Sequence, residues 1–196
     1  IKKWGIEEFI IITSPDFDLM IKDVTKKEFP NLKINYAVQD TPLGISHAFS
    51  KAEIFIDNND ILLLVLGDNF FDGNPLQDIN FKKFSENNGS IIFTKEVPNP
   101  EEFGVAEVDD GGEVFFIDEK PENPISNLAV VGLYVFDSSA MGKIKKLSPS
   151  KRGEYEITDL INLYINEKKC KNVEITSWWV DAGTPERIIE LENLLA

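Results

Sequence analysis

Cysteine and histidine are almost absent from this sequence, and their scarcity excludes several kinds of site. The 196 residues include one cysteine, Cys170, and one histidine, His47. A single cysteine excludes an intrachain disulfide and a multi-cysteine zinc site, and it suits a reducing compartment. A single histidine excludes a metal centre with two histidine ligands. We therefore expect a cytoplasmic protein in which Cys170 is a plain thiol and His47 lies on a helix surface.

Basic residues and long apolar runs are also scarce. Twenty Lys and Arg oppose 34 Asp and Glu, which leaves a net charge of −14. Such a chain repels a phosphate backbone, so a nucleic-acid polymer is not an expected partner, although a local site for a phosphorylated small molecule stays open. The longest apolar run, Ile61 to Leu66, is far shorter than the roughly 18 residues of a membrane span. Hydrophobic residues nevertheless make up 42% of the chain, enough for a large core.

The chain begins with Ile1 rather than Met, and the stretch Ile1 to Glu8 is typical of the end of a helix that leads into a strand. A length of 196 residues fits one domain. We therefore expect a single domain over residues 1–196 that is incomplete at its N-terminus.

Strands and helices alternate in the first half of the chain. Ser14 and Pro15 are typical of a helix entry, with serine as the cap, and the continuous apolar run at Ile61 predicts a strand buried on both faces. The expected strands are Phe9 to Thr13, Lys33 to Val38, Ile61 to Leu66 and Ser90 to Val97, and the expected helices are Asp16 to Glu28, Gly44 to Phe55 and Leu76 to Glu86.

The second half begins with a hairpin. Asp109-Asp110-Gly111-Gly112 is a strong turn signal between two alternating strands. The expected elements are strands Phe103 to Asp109, Glu113 to Asp118, Leu128 to Phe136 and Val173 to Thr176, with helices Glu156 to Glu167 and Pro185 to Leu195. This order predicts an α/β fold: a mixed, mostly parallel sheet flanked by helices, with an antiparallel insertion.

Ligands of such sheets bind beyond the carboxyl ends of the strands, so the residues after each strand are candidates. Asp68 follows the apolar strand at Ile61, and a carboxylate there is a natural ligand for Mg²⁺. The same Gly67-Asp68-Asn69 sequence, taken alone, is more often part of an ordinary turn. The Gln39 amide offers an acceptor and a donor side by side, which matches the edge of thymine or uracil, and Gly44 allows close backbone approach. The segment also suits a plain strand–helix link.

Later candidates are similarly ambiguous by themselves. Glu119 could accept sugar hydroxyls and Lys120 could hold a phosphate, or the two could form a surface ion pair. Gly104 places a backbone N–H where it could face a ligand. Asp181 could bind a metal or cap the last helix.

Seven short motifs occur in a fixed order and together are far more specific than any one alone. They are Gln39-(x)4-Gly44, Leu66-Gly67-Asp68-Asn69, Phe103-Gly104-Val105, Glu119-Lys120-Pro121, Val131-Gly132-Leu133-Tyr134, Arg152-Gly153-Glu154-Tyr155-Glu156-Ile157-Thr158-Asp159 and Trp179-Val180-Asp181-Ala182-Gly183-Thr184. In this order they closely resemble the sugar-1-phosphate nucleotidyltransferases, over essentially the whole chain. The resemblance implies a Rossmann-like nucleotide-diphospho-sugar transferase fold with an antiparallel sugar-binding insertion.

The resemblance also implies an activity: nucleotidyl transfer from dTTP or UTP to glucose-1-phosphate, with release of pyrophosphate. The sugar phosphate is already anionic at neutral pH, so no general base is required. Mg²⁺, held by Asp68 and Asp181, is the implied cofactor, and a homo-oligomer is a candidate assembly because family members commonly assemble. The implied site residues are Asp68, Lys120 and Asp181 for catalysis, Gln39, Pro42, Gly44 and Asp68 for the nucleotide, and Asn69, Gly104, Glu119, Val131, Gly132, Arg152 and Glu154 for the sugar.

One family feature has no counterpart in the chain. The family opens with a glycine-rich loop, G-x-G-T-R-x-x-P-x-T, which cradles the nucleotide phosphates. We expect this loop to lie upstream of Ile1. Its absence otherwise supports an alternative, a non-catalytic nucleotide-sugar-binding or regulatory fragment. A glycosyltransferase that consumes nucleotide sugars is a further alternative, but its usual Asp-x-Asp is missing because Phe70 follows Asn69.

Overall fold

The structure, a computed structural model, describes residues 1–195. The strands are β1 (Glu8–Thr13), β2 (Lys33–Val38), β3 (Ile61–Val65), β4 (Asn69–Phe71), β5 (Ser90–Glu96), β6 (Gly104–Val108), β7 (Val114–Glu119), β8 (Leu128–Asp137), β9 (Cys170–Glu174) and β10 (Trp179–Asp181). The α-helices are α1 (Asp18–Glu28), α2 (Ile45–Ser50), α3 (Phe81–Asn87), α4 (Ala140–Ile144), α5 (Ile157–Asn166) and α6 (Pro185–Leu195). Short 3₁₀ turns cover Lys2–Trp4, Glu53–Phe55 and Pro100–Glu102.

The chain folds as two compact units. The first unit combines residues 1–60 with 138–160, and the second combines 61–137 with the chain from 161 onward. In the first unit β1 and β2 pair in parallel from Glu8↔Lys33 to Thr13↔Val38, and α1 connects them. A parallel pair needs such a crossover connection, so the alternation seen in the sequence is realised here.

The second unit is built around β8, the longest strand. One edge of β8 pairs with β5, and its other edge is shared between β3, down to Val65↔Leu133, and β6, at Gly104↔Val130. β9 adds in parallel to β5, and β7 adds antiparallel to β6. β3, β5, β6 and β9 therefore run in one direction, and β7 and β8 run in the other.

The expected α/β class, with a mixed sheet flanked by helices, is confirmed. Neighbouring strands of the second unit are nevertheless mostly antiparallel. The reason is the position of β8. The strands β3 and β5 run in the same direction, but β8 lies between them in the opposite direction, so each of them pairs with β8 in an antiparallel manner. The alternation of strands and helices along the sequence does not reveal which strands become neighbours in the sheet.

The core of the second unit follows β8, in which all residues after Leu128 are buried. Phe93, Leu133 and Phe136 have no exposed surface. The strand predicted to be buried on both faces, Ile61 to Leu66, is instead half-buried throughout. Within the described second unit β3 pairs only with β8, whereas β8 has partners on both edges.

Four predicted boundaries are wrong, the first being that of β9, which covers Cys170–Glu174 rather than Val173 to Thr176. α1 begins at Asp18 with Phe17 as its N-cap and without a side-chain cap, and the Ser14 carbonyl instead closes a turn with the Phe17 amide at 3.2 Å. The helix predicted from Leu76 begins only at Phe81, where the Asn80 side chain accepts from an amide of the first turn. The predicted helix over residues 44–55 divides into α2 and a 3₁₀ turn.

β4 and β10 were not predicted, because three residues carry no usable periodicity. They pair antiparallel, with Asn69 opposite Asp181 and Phe71 opposite Trp179. Residues separated by more than 100 positions are thereby placed side by side. No helix within residues 1–195 combines the length and the apolar character needed to cross a bilayer.

Candidate active site

Two carboxylates meet beside Gly183 in the second unit. The Ala182 amide donates to the Asp68 carbonyl at 2.7 Å, next to the β4–β10 pair. A Cβ added to Gly183 would lie 3.1 Å from Asp181 Oδ1 and 3.7 Å from Asp68 Oδ2. Both carboxylate oxygens therefore lie within 4 Å of one point, and glycine at 183 keeps that point open.

The Asn69 side chain forms hydrogen bonds to three different parts of this region. Its Oδ1 accepts from the Gly132 amide at 2.9 Å and from Trp179 Nε1 at 2.8 Å. Its Nδ2 donates to Asp68 Oδ1 at 2.9 Å, which leaves Asp68 Oδ2 facing Gly183. The Asn69 side chain is thus engaged in three internal hydrogen bonds, and its expected role in sugar binding stays a prediction.

Gly132 lies at the gap where β3 ends and β6 begins along β8. Its carbonyl accepts from the Leu66 amide at 2.9 Å, and its own amide donates to Asn69. A Cβ here would lie only 2.7–2.8 Å from the Asn69 amide group. Glycine is therefore required by the approach of Asn69. With both backbone groups of Gly132 occupied, its assignment to sugar binding also stays a prediction.

Four further predicted residues lie at the same end of β8: Gly104, Glu119, Lys120 and Val131. Gly104 pairs with Glu119 on β7 and with Val130, next to Val131, on β8. The chain then turns at Lys120, whose amide donates to the Phe103 carbonyl at 3.0 Å. Lys120 has a φ of +48°, in the left-handed region that a lysine seldom adopts. Lys168 has a φ of +55° outside the candidate site, so this backbone angle does not test the role predicted for Lys120, which stays a prediction.

The buried phenol of Tyr134 lies near two of the candidate carboxylates, Glu119 and Asp181. Burial raises the pKa of Tyr134 well above its ordinary value, and the negative charges of Glu119 and Asp181 raise it further. Both carboxylates are therefore close enough to influence one hydroxyl, which stays neutral. The sequence alone did not distinguish a core role from a pocket role for Tyr134, and its exposure of 3% places it in the core.

Sequence reasoning missed Arg187, on the first turn of α6. Its guanidinium lies 2.6 Å from Glu102 Oε2 and 3.9 Å from Asp181 Oδ2, and it covers the Phe103 ring at 5.0 Å. Arg187 therefore places a positive charge beside Asp181, one of the paired carboxylates. A basic residue six positions after Asp181 was the available signal, but nothing local connects it to Glu102.

The predicted nucleotide-binding segment lies in the first unit. Gln39 Nε2 donates to the Gly44 carbonyl at 3.1 Å and lies 3.0 Å from Nδ1 of His47. Pro42, in the intervening turn, is exposed. Both Nε2 hydrogens thus have internal partners, so Oε1 is the atom that Gln39 offers to a ligand. The sequence-based expectation that the Gln39 amide reads a base stays a prediction.

Gly44 begins α2 with a φ of +97°. A Cβ there would lie 2.7 Å from the carbonyl oxygen of Tyr155 and 3.1 Å from Cβ of Glu154. The close approach predicted at Gly44 is therefore made by this segment of the chain itself. Arg152 lies 3.6 Å from Glu154, and 3.7 Å from the buried Glu156. Glu154 thus neighbours the nucleotide segment, and the sugar-binding roles of Arg152 and Glu154 stay predictions.

Comparison with known proteins matches the whole chain, residues 1–196, to the family model described as nucleotidyl transferase. The chain is 37% identical over 196 residues to a glucose-1-phosphate thymidylyltransferase of Neisseria meningitidis, covering 97% of this chain and 67% of that protein. It is 39% identical over 165 residues to the low-salt glycan biosynthesis nucleotidyltransferase Agl11 of Haloferax volcanii, covering 84% of this chain and 46% of that protein.

A solved structure extends the likeness to the fold. The crystal structure described as a glucose-1-phosphate thymidylyltransferase from Bacillus anthracis, in complex with sucrose, aligns with a TM-score of 0.86 and 33% identity. The alignment covers 98% of this chain and 78% of that one. The chain belongs to the nucleotidyl transferase family, a family of enzymes, and the family resemblance read from the seven motifs is confirmed.

Proposed function

We propose that this chain acts as the nucleotidyltransferase domain of a protein that joins dTTP or UTP to glucose-1-phosphate, giving nucleotide-diphosphate glucose and pyrophosphate. The observation that carries the proposal is the approach of the Asp68 and Asp181 carboxylates to one point beside Gly183, in a chain that belongs to this family. We further propose small-molecule substrates in a cytoplasmic setting, with no nucleic-acid polymer or membrane as partner. Nothing in the comparisons favours the regulatory fragment.

The proposed chemistry requires placement and charge neutralisation more than proton transfer. A sugar-phosphate oxygen, already anionic, attacks the α-phosphorus in line, and pyrophosphate leaves. Lys120 is proposed to hold the sugar phosphate, and Glu119 to accept a sugar hydroxyl. The buried, neutral Tyr134 takes no part in proton transfer at neutral pH.

The donor set beside Gly183 fits Mg²⁺ as the cofactor. Within residues 1–195 no group of three or more His, Cys, Asp or Glu side chains is placed to hold a metal, so the protein offers two carboxylates. Mg²⁺ commonly takes one or two carboxylates and completes its shell with water and substrate phosphates. When bound, it would neutralise phosphate charge and orient the phosphates. Asp68 and Asp181 would hold it.

Substitution of the paired carboxylates tests this function in the complete protein. Asp68→Asn should nearly abolish pyrophosphate release and weaken Mn²⁺ binding measured by electron paramagnetic resonance, because the change keeps the size and removes a charge. Asp181→Asn should do the same. The double variant should be little worse than either single one, since both act through one ion.

Asp72→Asn is the matched control, because Asp72 lies just beyond β4 and outside the pair. It should retain both metal binding and turnover. Full activity of Asp68→Asn at saturating Mg²⁺ would make Asp68 a turn residue and the proposed site wrong.

A further inference from the structure

His47 is held against Gln39 by a short chain of contacts in the first unit. Gln39 Nε2 lies 3.0 Å from His47 Nδ1 and 3.1 Å from the Gly44 carbonyl oxygen. The sequence had suggested only a helix-surface role for this histidine. Its position beside the proposed base-reading amide requires a different account.

The direction of these hydrogen bonds follows from chemistry. A backbone carbonyl only accepts, so the Gln39 atom that faces Gly44 must be the amide nitrogen. That nitrogen only donates, so Nδ1 of His47 must accept its second hydrogen. The tautomer of His47 that can accept at Nδ1 carries its proton on Nε2. In the reversed amide orientation, Oε1 would face the Gly44 carbonyl oxygen, an acceptor, whichever tautomer His47 adopts.

The imidazole ring has a second contact besides Gln39. It stacks on Tyr155 with centroids 6.2 Å apart and an interplanar angle of 29°. Tyr155 is anchored in turn, since its amide donates to the Leu43 carbonyl and its carbonyl accepts from the Ser46 amide. The acceptor that His47 presents to Gln39 is therefore set by the fold.

We propose that His47 is a specificity-determining positioning residue for base selection. By accepting from Nε2 it locks the Gln39 amide so that Oε1 is presented to the base. When the base is held so that N3 of its ring faces Oε1, a fixed acceptor favours thymine or uracil, whose N3 carries a hydrogen, and opposes cytosine, whose N3 is an acceptor. This inference rests on the proposed function and deepens it.

Variants of His47 test the Nδ1 acceptor and the aromatic ring separately. Asn carries Oδ1 on Cγ, where histidine carries Nδ1, so His47→Asn keeps the acceptor. His47→Leu places a methyl group there, and His47→Phe keeps a ring to stack on Tyr155 without any acceptor. Lys51→Ala, at the end of the same helix, is the surface control. The measurement is kcat/KM for dTTP and dCTP in the complete protein, with melting temperatures to confirm folding.

His47→Leu and His47→Phe should each lower the dTTP:dCTP ratio by roughly 5- to 10-fold, the value of about one hydrogen bond. The loss should fall mainly on KM for dTTP, with KM for the sugar phosphate unchanged. His47→Asn should restore the ratio to within about 2-fold of wild type, and Lys51→Ala should not change it.

Gln39→Ala distinguishes failure of this inference from failure of the proposed function. If Gln39→Ala collapses the ratio while His47→Phe preserves it, the role of His47 is wrong and the base site stands. If Gln39→Ala leaves the ratio unchanged, the base site itself is wrong, and this inference with it. If the dTTP:dCTP ratio falls as far in His47→Asn as in His47→Phe, the histidine does not act through its acceptor and the inference is overturned.

Discussion

Gly132→Ala offers the sharpest test of how the candidate site is held together. The new methyl group would lie 2.7–2.8 Å from three atoms of the Asn69 amide, closer than real Cβ contacts allow. Either Asn69 moves or β8 shifts, and β8 is buried on both sides of Gly132. We expect Asn69 to move, because a side chain yields more easily than a central strand.

The cost follows from what Asn69 holds. Its amide makes three hydrogen bonds, to the Gly132 amide, Trp179 and Asp68. At about 0.5–1.5 kcal/mol net for each bond, their loss amounts to roughly 2–4 kcal/mol, and overpacking adds to it. In a chain of this length each kcal/mol lowers Tm by about 2–4 °C, so a fall of about 5–15 °C is expected. Mn²⁺ affinity should fall as well, because Asp68 loses its restraint.

Gly142→Ala is the matched control. Gly142 lies within α4, and a Cβ there would meet nothing within 4 Å. Alanine in a helix is favoured over glycine by about 0.5–1 kcal/mol, so this variant should be neutral or slightly more stable. Urea unfolding followed by tryptophan fluorescence measures both variants. Equal unfolding midpoints for Gly132→Ala and Gly142→Ala would show that Asn69 does not depend on the space at 132.

Three further predictions concern the lysine turn, the thiol and the isolated chain. Lys120→Gly should relieve the backbone strain at φ +48°, adding up to about 1 kcal/mol to the free energy of unfolding, while activity is lost. If Lys120→Ala changes the free energy of unfolding by the same amount, relief of backbone strain is not the cause. Burial raises the pKa of Cys170 to about 11. The folded protein should therefore resist a disulfide reagent at pH 8, and its free energy of unfolding should fall as pH rises from the ordinary thiol range toward 11. Rapid stoichiometric labelling of the folded protein would contradict this prediction. The 196-residue chain by itself should release no pyrophosphate from dTTP and glucose-1-phosphate, because it contains no glycine-rich phosphate loop; release above background would refute that expectation.

Features determined within a few residues were predictable from the sequence. The turn at Asp109 closes the β6–β7 hairpin as expected, because the Asp109 side chain accepts from the Gly111 and Glu113 amides. α6 begins at Pro185 and ends at Leu195, as predicted. In each case a local residue type supplies the hydrogen bonds or sets the backbone angles, so that the pattern and its cause lie in the same stretch of chain.

Features that depend on distant pairing were decided by the tertiary structure alone. The contact between Asn69 and Trp179 spans 110 residues and exists because β4 pairs with β10, two strands too short to show a pattern. The same holds for His47, whose acceptor matters only because the Gly44 carbonyl fixes which end of Gln39 faces it. The sequence alone identified the candidate carboxylates and amides. Which of their atoms are engaged, and which remain for a ligand, depended on the neighbours that the fold supplied.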